Sequence, residues 1–251
     1  METVDVSVGP ADTVPSMGFA ERLLGVFISP GETFADVARK PGFIAPLITS
    51  TLASVAIVET MLFKINMEAA MRAQLEQGGQ ASRMSPEQLA TAVERGAVAT
   101  KVAMHIGSVV GPAIFALIIA GLGLLVLNLI FGEQAGFKVV FSATCYAYLV
   151  ALLGGVVTLP VLLFGDPENL RLDNPAPTNV GFFLNPRETS KPLYALATSA
   201  DIFTVWFLIV VAIGLSEVVR RKVKPLSIFL SYFGVWMVWV LGKVLLSMLM
   251  H

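Results

Sequence analysis

Residues 139–164 read VVFSATCYAYLVALLGGVVTLPVLLF and contain no charged side chain. The hydrocarbon core of a bilayer is about 30 Å thick, so a helix that rises about 1.5 Å per residue needs roughly 20 apolar residues to cross it. This stretch meets that length and predicts a membrane-spanning helix. Four other stretches meet or nearly meet it, at about residues 42–63, 102–131, 202–219 and 226–250. The sequence therefore predicts an all-α membrane protein, a five-span transmembrane helix bundle.

The composition agrees with a protein that lies mostly in lipid. Hydrophobic residues make up 55% of the chain and charged residues only 14%, whereas a soluble domain carries about 25% charged residues. The net charge of −1 gives no reason to expect nucleic acid as a partner. The single cysteine, Cys145, lies in the third stretch, and we interpret it as a packing residue and not as a reactive thiol.

The residues before the first span divide into two parts. Residues 1–17 are polar and have no helical periodicity, which predicts a disordered tail on the cytosolic side. Residues 18–41 predict two short amphipathic helices, the second of which begins at a capping box formed by Ser29 and Glu32. We expect this pair to lie flat at the membrane surface before the five-span domain of residues 42–251, although a linker in solvent is the alternative.

The connection between the first two spans is polar. It contains a second capping box, formed by Ser85 and Gln88, followed by a continuous run of helix-forming residues. This pattern predicts a helix, a turn, and then a helix that continues into the second span.

Basic residues near the span ends predict the orientation. A basic run at residues 220–224 separates the fourth and fifth spans, while Arg39 and Lys40 precede the first. Lysine and arginine collect on the cytosolic side of membrane proteins, and five spans place both basic groups on the same side. We therefore expect a cytosolic N-terminus and an external C-terminus at His251.

Short motifs follow one another along the chain in a characteristic order. They are Phe27-Ile28-Ser29-Pro30-Gly31-Glu32-Thr33-Phe34 with Lys40-Pro41 and Pro46-Leu47, Met84-Ser85-Pro86-Glu87-Gln88, Val110-Gly111-Pro112, Phe137-Lys138, Tyr146-Ala147-Tyr148, Thr178-Asn179-Val180-Gly181-Phe182-Phe183, and Tyr194-Ala195-Leu196. Together they resemble bacterial Yip1-domain membrane proteins over nearly everything after Met17. The resemblance implies five α-helical spans and a cytosolic N-terminus. It supplies no catalytic residues, and the traffic role of eukaryotic relatives, which bind small GTPases, does not carry over to bacteria.

Glu59 and Lys243 within the predicted spans, and Asp201 at the outer start of the fourth, form a candidate polar site, because a charge in hydrocarbon is costly. Glu59 and Lys243 lie at similar estimated depths, so we expect them to approach each other, with Asp201 as the alternative partner of Lys243. They either fix helix register as ion pairs, or Lys243 extends outward to water, or they bind a substrate or proton. Asn128 is expected to hydrogen bond between helices, and His105 is a further titratable group.

The third span also carries a strip of small residues. Ala143, Ala147, Ala151 and Gly155 recur every four residues and therefore lie on one face of the helix. Small side chains let neighbouring backbones approach closely in membranes. This pattern predicts a helix-packing strip.

The functional prediction rests partly on what the sequence lacks. It has no zinc-ligand helix, no nucleophile elbow and no phosphate loop, and only two histidines, so we expect neither enzymatic activity, nor a metal, nor a cofactor. The sequence predicts a protein of the bacterial inner membrane that binds or organises other components of the bilayer, either membrane proteins or further copies of itself. The alternative is a small transporter or lipid-handling protein that uses Glu59, Asp201 and Lys243.

Overall fold

The computed structural model describes residues 16–165, 174–186 and 188–249, apart from the side chain of Gln77. These residues form nine α-helices, α1 Phe19–Ile28, α2 Pro30–Arg39, α3 Ile44–Lys64, α4 Met67–Gln77, α5 Pro86–Leu124, α6 Phe137–Phe164, α7 Lys191–Ser199, α8 Ile202–Val218 and α9 Pro225–Leu249. A π-helical turn, Leu125–Ile130, continues α5, and two short 3₁₀ turns lie at Ala81–Arg83 and Val180–Phe183. Most of the predicted tail and the C-terminal His251 lie outside the described residues.

Four helices of the described chain are long and apolar enough to cross a membrane, namely α3, α5 with its π-helical turn, α6 and α9. Helix α8 is apolar but has only 17 residues, or about 26 Å of length. Asp201 caps its beginning, and its end is followed by Arg220 and Arg221, whose positive φ values of 54° and 58° reverse the chain. These two local features set the length of α8, and the fifth span stays a prediction.

The bundle has two distinguishable ends because α3 and α6 run in the same direction. The ring of Phe43, just before α3, lies 5.1 Å from that of Phe141 in the second turn of α6. At the other end of both helices, Lys64 donates a hydrogen bond to the carbonyl of Leu163 at 2.9 Å. Helix α8 runs the opposite way. We call the end where α3 and α6 begin the hairpin end, and the other the opposite end.

Helix α6 lies at the centre and packs against α3, α5 and α8. Ala143 and Ala147 are buried, and Ala151 packs against the same core. A methyl group placed on Gly155 would lie 2.5 Å from Cδ1 of Ile57 in α3. The strip of small residues therefore faces neighbouring helices, and Gly155 has little room for a larger side chain.

A buried tyrosine ties α9 to α5. The hydroxyl of Tyr232 donates a hydrogen bond of 2.8 Å to the carbonyl of Ile119. A Cβ atom on Gly123 would lie only 2.8 Å from that hydroxyl, so the glycine leaves the space that the phenol occupies.

Asn128 does not form the expected hydrogen bond between helices. Its side-chain amide donates to the carbonyl of Ala135 at 3.1 Å and accepts from the amide of the same residue at 2.8 Å. Both bonds close the turn between the π-helical segment and α6. The expectation was wrong because a short amide side chain near a helix end finds local backbone partners before it reaches another helix.

The two predicted capping boxes differ in outcome. Ser85 caps α5 as predicted, since its hydroxyl accepts from the amide of Gln88 at 3.2 Å and its own amide donates to Oε1 of Gln88 at 2.9 Å. Helix α2 begins at Pro30, but Ser29 makes no side-chain cap. The amide of Ser29 already donates to the carbonyl of Gly25 in the last turn of α1. The half of the capping box in which the Glu32 side chain would accept from this amide therefore has no donor.

Candidate functional site

Helices α1 and α2 form a hairpin that packs onto the bundle against α8 and α6. Three of its apolar side chains are completely buried, those of Val26, Phe34 and Val37. A Cβ atom on Gly214 of α8 would lie 2.9 Å from Cδ1 of Phe34, so the ring rests directly on the helix backbone. The buried face of the hairpin therefore contacts protein, and the expectation that the pair lies at the membrane surface stays a prediction.

A buried ion pair holds the hairpin together. Nη2 of Arg22 in α1 lies 2.7 Å from Oδ2 of Asp36 in α2, and the two side chains are 8% and 1% exposed. Asp36 also accepts from Arg39 at 3.1 Å and from the amide of Met17 at 3.2 Å. The remaining guanidinium nitrogen of Arg22 donates to the carbonyl of Lys40 at 3.1 Å. The pair thus connects both helices and the residues that flank them.

The surroundings of Asp36 keep it ionised. Burial by itself would raise the pKa of its carboxyl, but the hydrogen bonds from Arg39 and Arg22 and the charge of Arg22 outweigh burial. The net result is a pKa below the ordinary value of an aspartate. The contact with Arg22 is therefore a charged one at neutral pH.

Arg22 and Asp36 were not among the predicted site residues, although the sequence holds a signal for them. Arg22 lies one helical turn before Val26, and Asp36 immediately precedes Val37. Charges of opposite sign therefore occupy the apolar faces of two adjacent helices. Such charges are buried only when they are paired, so the arrangement indicates that the two helices contact each other.

An open cleft of about 580 Å³ lies beside the hairpin, between α1, the start of α3 and the start of α6. Its walls include Phe19, Arg22, Phe43, Ile44, Lys138 and Tyr146. Neither α3 nor α6 has a side-chain cap at its beginning, so the first-turn amides of both helices are free of side-chain partners and add positive potential. Lys138 is exposed, and in the described part of the chain no carboxylate lies within 4 Å of its ammonium group.

Tyr146 brings a polar group into this cleft from the buried side. Its side chain is only 2% exposed, and its hydroxyl makes no hydrogen bond with any described residue. Every fully buried side-chain oxygen and nitrogen in the described chain has a partner. The small exposed part of Tyr146 therefore includes its hydroxyl, which faces the cleft without a partner among the described residues.

The predicted polar residues do not come together. Glu59 lies 3.1 Å from Nε2 of His105 in α5, and both side chains are about half exposed. Asp201 accepts hydrogen bonds from the amide of Thr204 at 2.8 Å and from the hydroxyl of Thr178. Asp201 thus serves as a helix cap, which is a structural role.

Lys243 has neither of its predicted partners. Its ammonium donates a hydrogen bond of 3.1 Å to the hydroxyl of Thr198 and lies 5.4 Å from the ring centroid of Trp239. No ion pair joins it to Glu59 or Asp201 among the described residues. The predicted contact was wrong because α3 packs against α5 and α6, whereas α9 packs against α7 and α8.

The described residues also contain no group of three or more histidine, cysteine, aspartate or glutamate side chains that could hold a metal ion. Cys145 is buried in α6. Polar side chains line the cleft at the hairpin end, and they also line a second pocket of about 410 Å³ at the opposite end, which includes Lys64, Glu68 and Lys101.

A family model described as the Yip1 domain matches residues 24–248. The chain belongs to the Yip1 family. The match spans α2 and all of the bundle helices, so Asp36, Lys138 and Tyr146 lie within this Yip1 domain, while Arg22 lies just before it. No curated protein and no solved structure matches the chain. The family and the apolar helices identify a membrane protein.

Proposed function

We propose that this Yip1-family protein has no enzymatic activity and binds or organises other membrane components at its hairpin end. The observation that carries the proposal is the ion pair between Arg22 and Asp36 beside an open cleft. The buried pair holds α1 and α2 in one position, so the surface of the hairpin end has a defined shape. A surface with a defined shape is suited to recognition, because little ordering is required when a partner binds.

The hairpin end is the cytosolic end in this proposal, with five spans in a bacterial inner membrane. Four sets of basic residues support this orientation, since Arg39, Lys40, Lys138 and the run at 220–224 all lie near this end. Three of these residues are held by acidic partners, the first being Arg39, which lies 3.1 Å from Asp36. Arg221 lies 2.5 Å from Glu217, and Lys222 lies 3.1 Å from Glu133. The others remain available to attract anionic lipid or an acidic protein surface.

The transporter alternative has less support. A site for a substrate or a proton needs several polar groups around one space. Glu59, Asp201 and Lys243 instead contact different partners. Glu59 contacts His105, Lys243 contacts Thr198, and Asp201 contacts Thr204 and Thr178. None of these contacts lines the cleft at the hairpin end.

Site-specific photo-crosslinking in native membranes tests the proposal. Ile28 at the tip of the hairpin is 79% exposed and suits a crosslinking side chain, and Phe63 near the end of α3, which is 85% exposed, provides the matched control. We expect discrete adducts from position 28 that disappear when Gly214→Leu displaces Phe34. Identical adducts from both positions, or adducts unaffected by Gly214→Leu, would argue against recognition at the hairpin end.

A further inference from the structure

We infer that the cleft at the hairpin end binds the headgroup of an anionic phospholipid, with its phosphodiester between Lys138 and Tyr146 and the start of an acyl chain against Phe19 and Phe43. The inference rests on the proposed function, because it names one membrane component that this end binds. The charge of the cleft, the hydroxyl of Tyr146 and the apolar walls support this assignment.

The charge of the cleft suits one negative group. Arg22 lines the cleft, but Asp36 neutralises it at 2.7 Å. Lys138 is the cation of the cleft that has no acidic partner among the described side chains. The uncapped beginnings of α3 and α6 add partial positive charge in the same place. A single phosphodiester carries one negative charge and matches this arrangement.

The hydroxyl of Tyr146 supplies a directional hydrogen bond. The Tyr146 side chain is 2% exposed, and its hydroxyl has no hydrogen-bond partner among the described residues, so this donor is available to a ligand in the cleft. A phosphate oxygen in the cleft would accept from this hydroxyl. A hydrogen bond to a charged acceptor is stronger than one to a neutral acceptor, so the ligand is expected to be an anion.

The remaining walls are apolar, which favours a lipid over free phosphate. Phe19 and Ile44 are 43% and 65% exposed, and both line the cleft together with Phe43. The cleft lies where two apolar helices, α3 and α6, begin, which is the depth at which lipid headgroups meet acyl chains. A free phosphate ion would leave this apolar surface uncovered, whereas an acyl chain would cover it.

Lipid titration of the purified full-length protein in a neutral detergent, followed by native mass spectrometry, tests the inference. The three ligands are phosphatidylglycerol, phosphatidylcholine with identical acyl chains, and inorganic phosphate. The variants are Tyr146→Phe and Lys138→Gln. Their matched controls are Tyr148→Phe, two residues further along α6 against Phe115, and Lys101→Gln, an exposed lysine of α5 outside the cleft.

We expect phosphatidylglycerol to bind at least about tenfold more tightly than phosphatidylcholine. Each cleft variant should weaken the binding of phosphatidylglycerol by about tenfold. The two control variants should bind as the unaltered protein does. Equal binding of the two lipids, or equal loss in cleft and control variants, would overturn the inference. Competition by millimolar phosphate would also overturn it, since it would indicate an anion site without lipid specificity.

The two proposals can fail separately. If crosslinks from Ile28 persist but lipid selectivity is absent, the lipid inference alone is wrong. If phosphatidylglycerol binds selectively but no crosslink depends on the hairpin, the cleft holds lipid and recognition of protein partners at the hairpin end is wrong. Lys138 is exposed, so Lys138→Gln is expected to fold and decides the outcome even if Tyr146→Phe is unstable.

Discussion

The guanidinium of Arg22 lies 2.7 Å from the carboxylate of Asp36, and the carboxylate is only 1% exposed. Each helix of the hairpin contributes one charge. Separation of the two helices would therefore leave each of them with a charge that has lost its partner. The completely buried Phe34 and Val37 lie on the same helix as Asp36. Formation of the pair and docking of α2 onto α8 are therefore expected to depend on each other.

The first prediction concerns this pair. Arg22→Met and Asp36→Asn should each lower the free energy of unfolding by about 3–5 kcal/mol, because each leaves one buried charge without its partner. The double variant Arg22→Met/Asp36→Asn should be much closer to the unaltered protein than the sum of the two single changes. Thermal unfolding in detergent measures the stability of each variant. The control is Arg39→Met, because the Arg39 side chain is 55% exposed. This change should lower the free energy of unfolding by about 0–1 kcal/mol. Additive effects of the two single changes would show that the charges do not depend on each other.

The second prediction concerns pH. The pKa of Asp36 is lowered in the folded protein, so its ionised form stabilises the fold above the unfolded value of 3.8. That stability is lost as the pH falls through the lower folded pKa. As the pH falls below about 4, the melting temperature of the unaltered protein should therefore fall more steeply than that of Asp36→Asn. Parallel curves for the two proteins would show that Asp36 makes no net contribution.

The third prediction concerns the contact between α2 and α8. Gly214→Ala would place a methyl group 2.9 Å from the buried ring of Phe34. It should lower the free energy of unfolding by about 1–3 kcal/mol and make the hairpin more accessible to protease. Gly234→Ala in α9 is the control, since nothing lies within 4 Å of its Cβ position. The control should be neutral or up to about 1 kcal/mol more stable, because alanine favours helices.

The fourth prediction concerns the small-residue strip of α6. Ala147 is completely buried, so Ala147→Leu should overlap with neighbouring helices and destabilise the protein by about 1–3 kcal/mol. Ala103→Leu on the exposed face of α5 should change the stability by less than about 0.5 kcal/mol. If the two variants melt at the same temperature in detergent, the strip is not a packing surface.

The fifth prediction concerns orientation. A reporter that is active only outside the cytosol should be active when fused after His251, because the basic residues at 220–224 are expected to stay cytosolic. A cytosol-only reporter at the same position should be silent. The reverse pattern would place the C-terminus in the cytosol and would leave the chain with an even number of spans or the opposite orientation.

Local sequence was enough to predict most of the helices, although not α7. Helices α3, α6 and α9 lie where long apolar stretches predicted them, because the length of apolar chain and the thickness of a bilayer are matched locally. The Ser85 capping box also depends only on residues a few positions apart. The family could be recognised for a related reason, since its motifs are short and follow a set order along the chain.

The cleft and the ion pair could not be predicted in the same way, because both depend on which helices become neighbours. Arg22 and Lys138 are more than one hundred positions apart, yet both line one cleft. Tyr146 belongs to the Tyr146-Ala147-Tyr148 motif of the family resemblance. Its hydroxyl is found to lack a partner among the described residues only once the surrounding helices are in place.

Glu59 and Lys243 show where local reasoning ends. A helix rises by a fixed distance per residue, so the sequence predicted their similar depth in the bundle. Depth does not specify the direction in which a side chain points around the bundle axis, nor which helix it faces. That direction follows from packing, which sets α3 against α5 and α9 against α7. Glu59 consequently meets His105 and Lys243 meets Thr198, because close-packed helices allow each side chain only the neighbours that their crossing brings within reach.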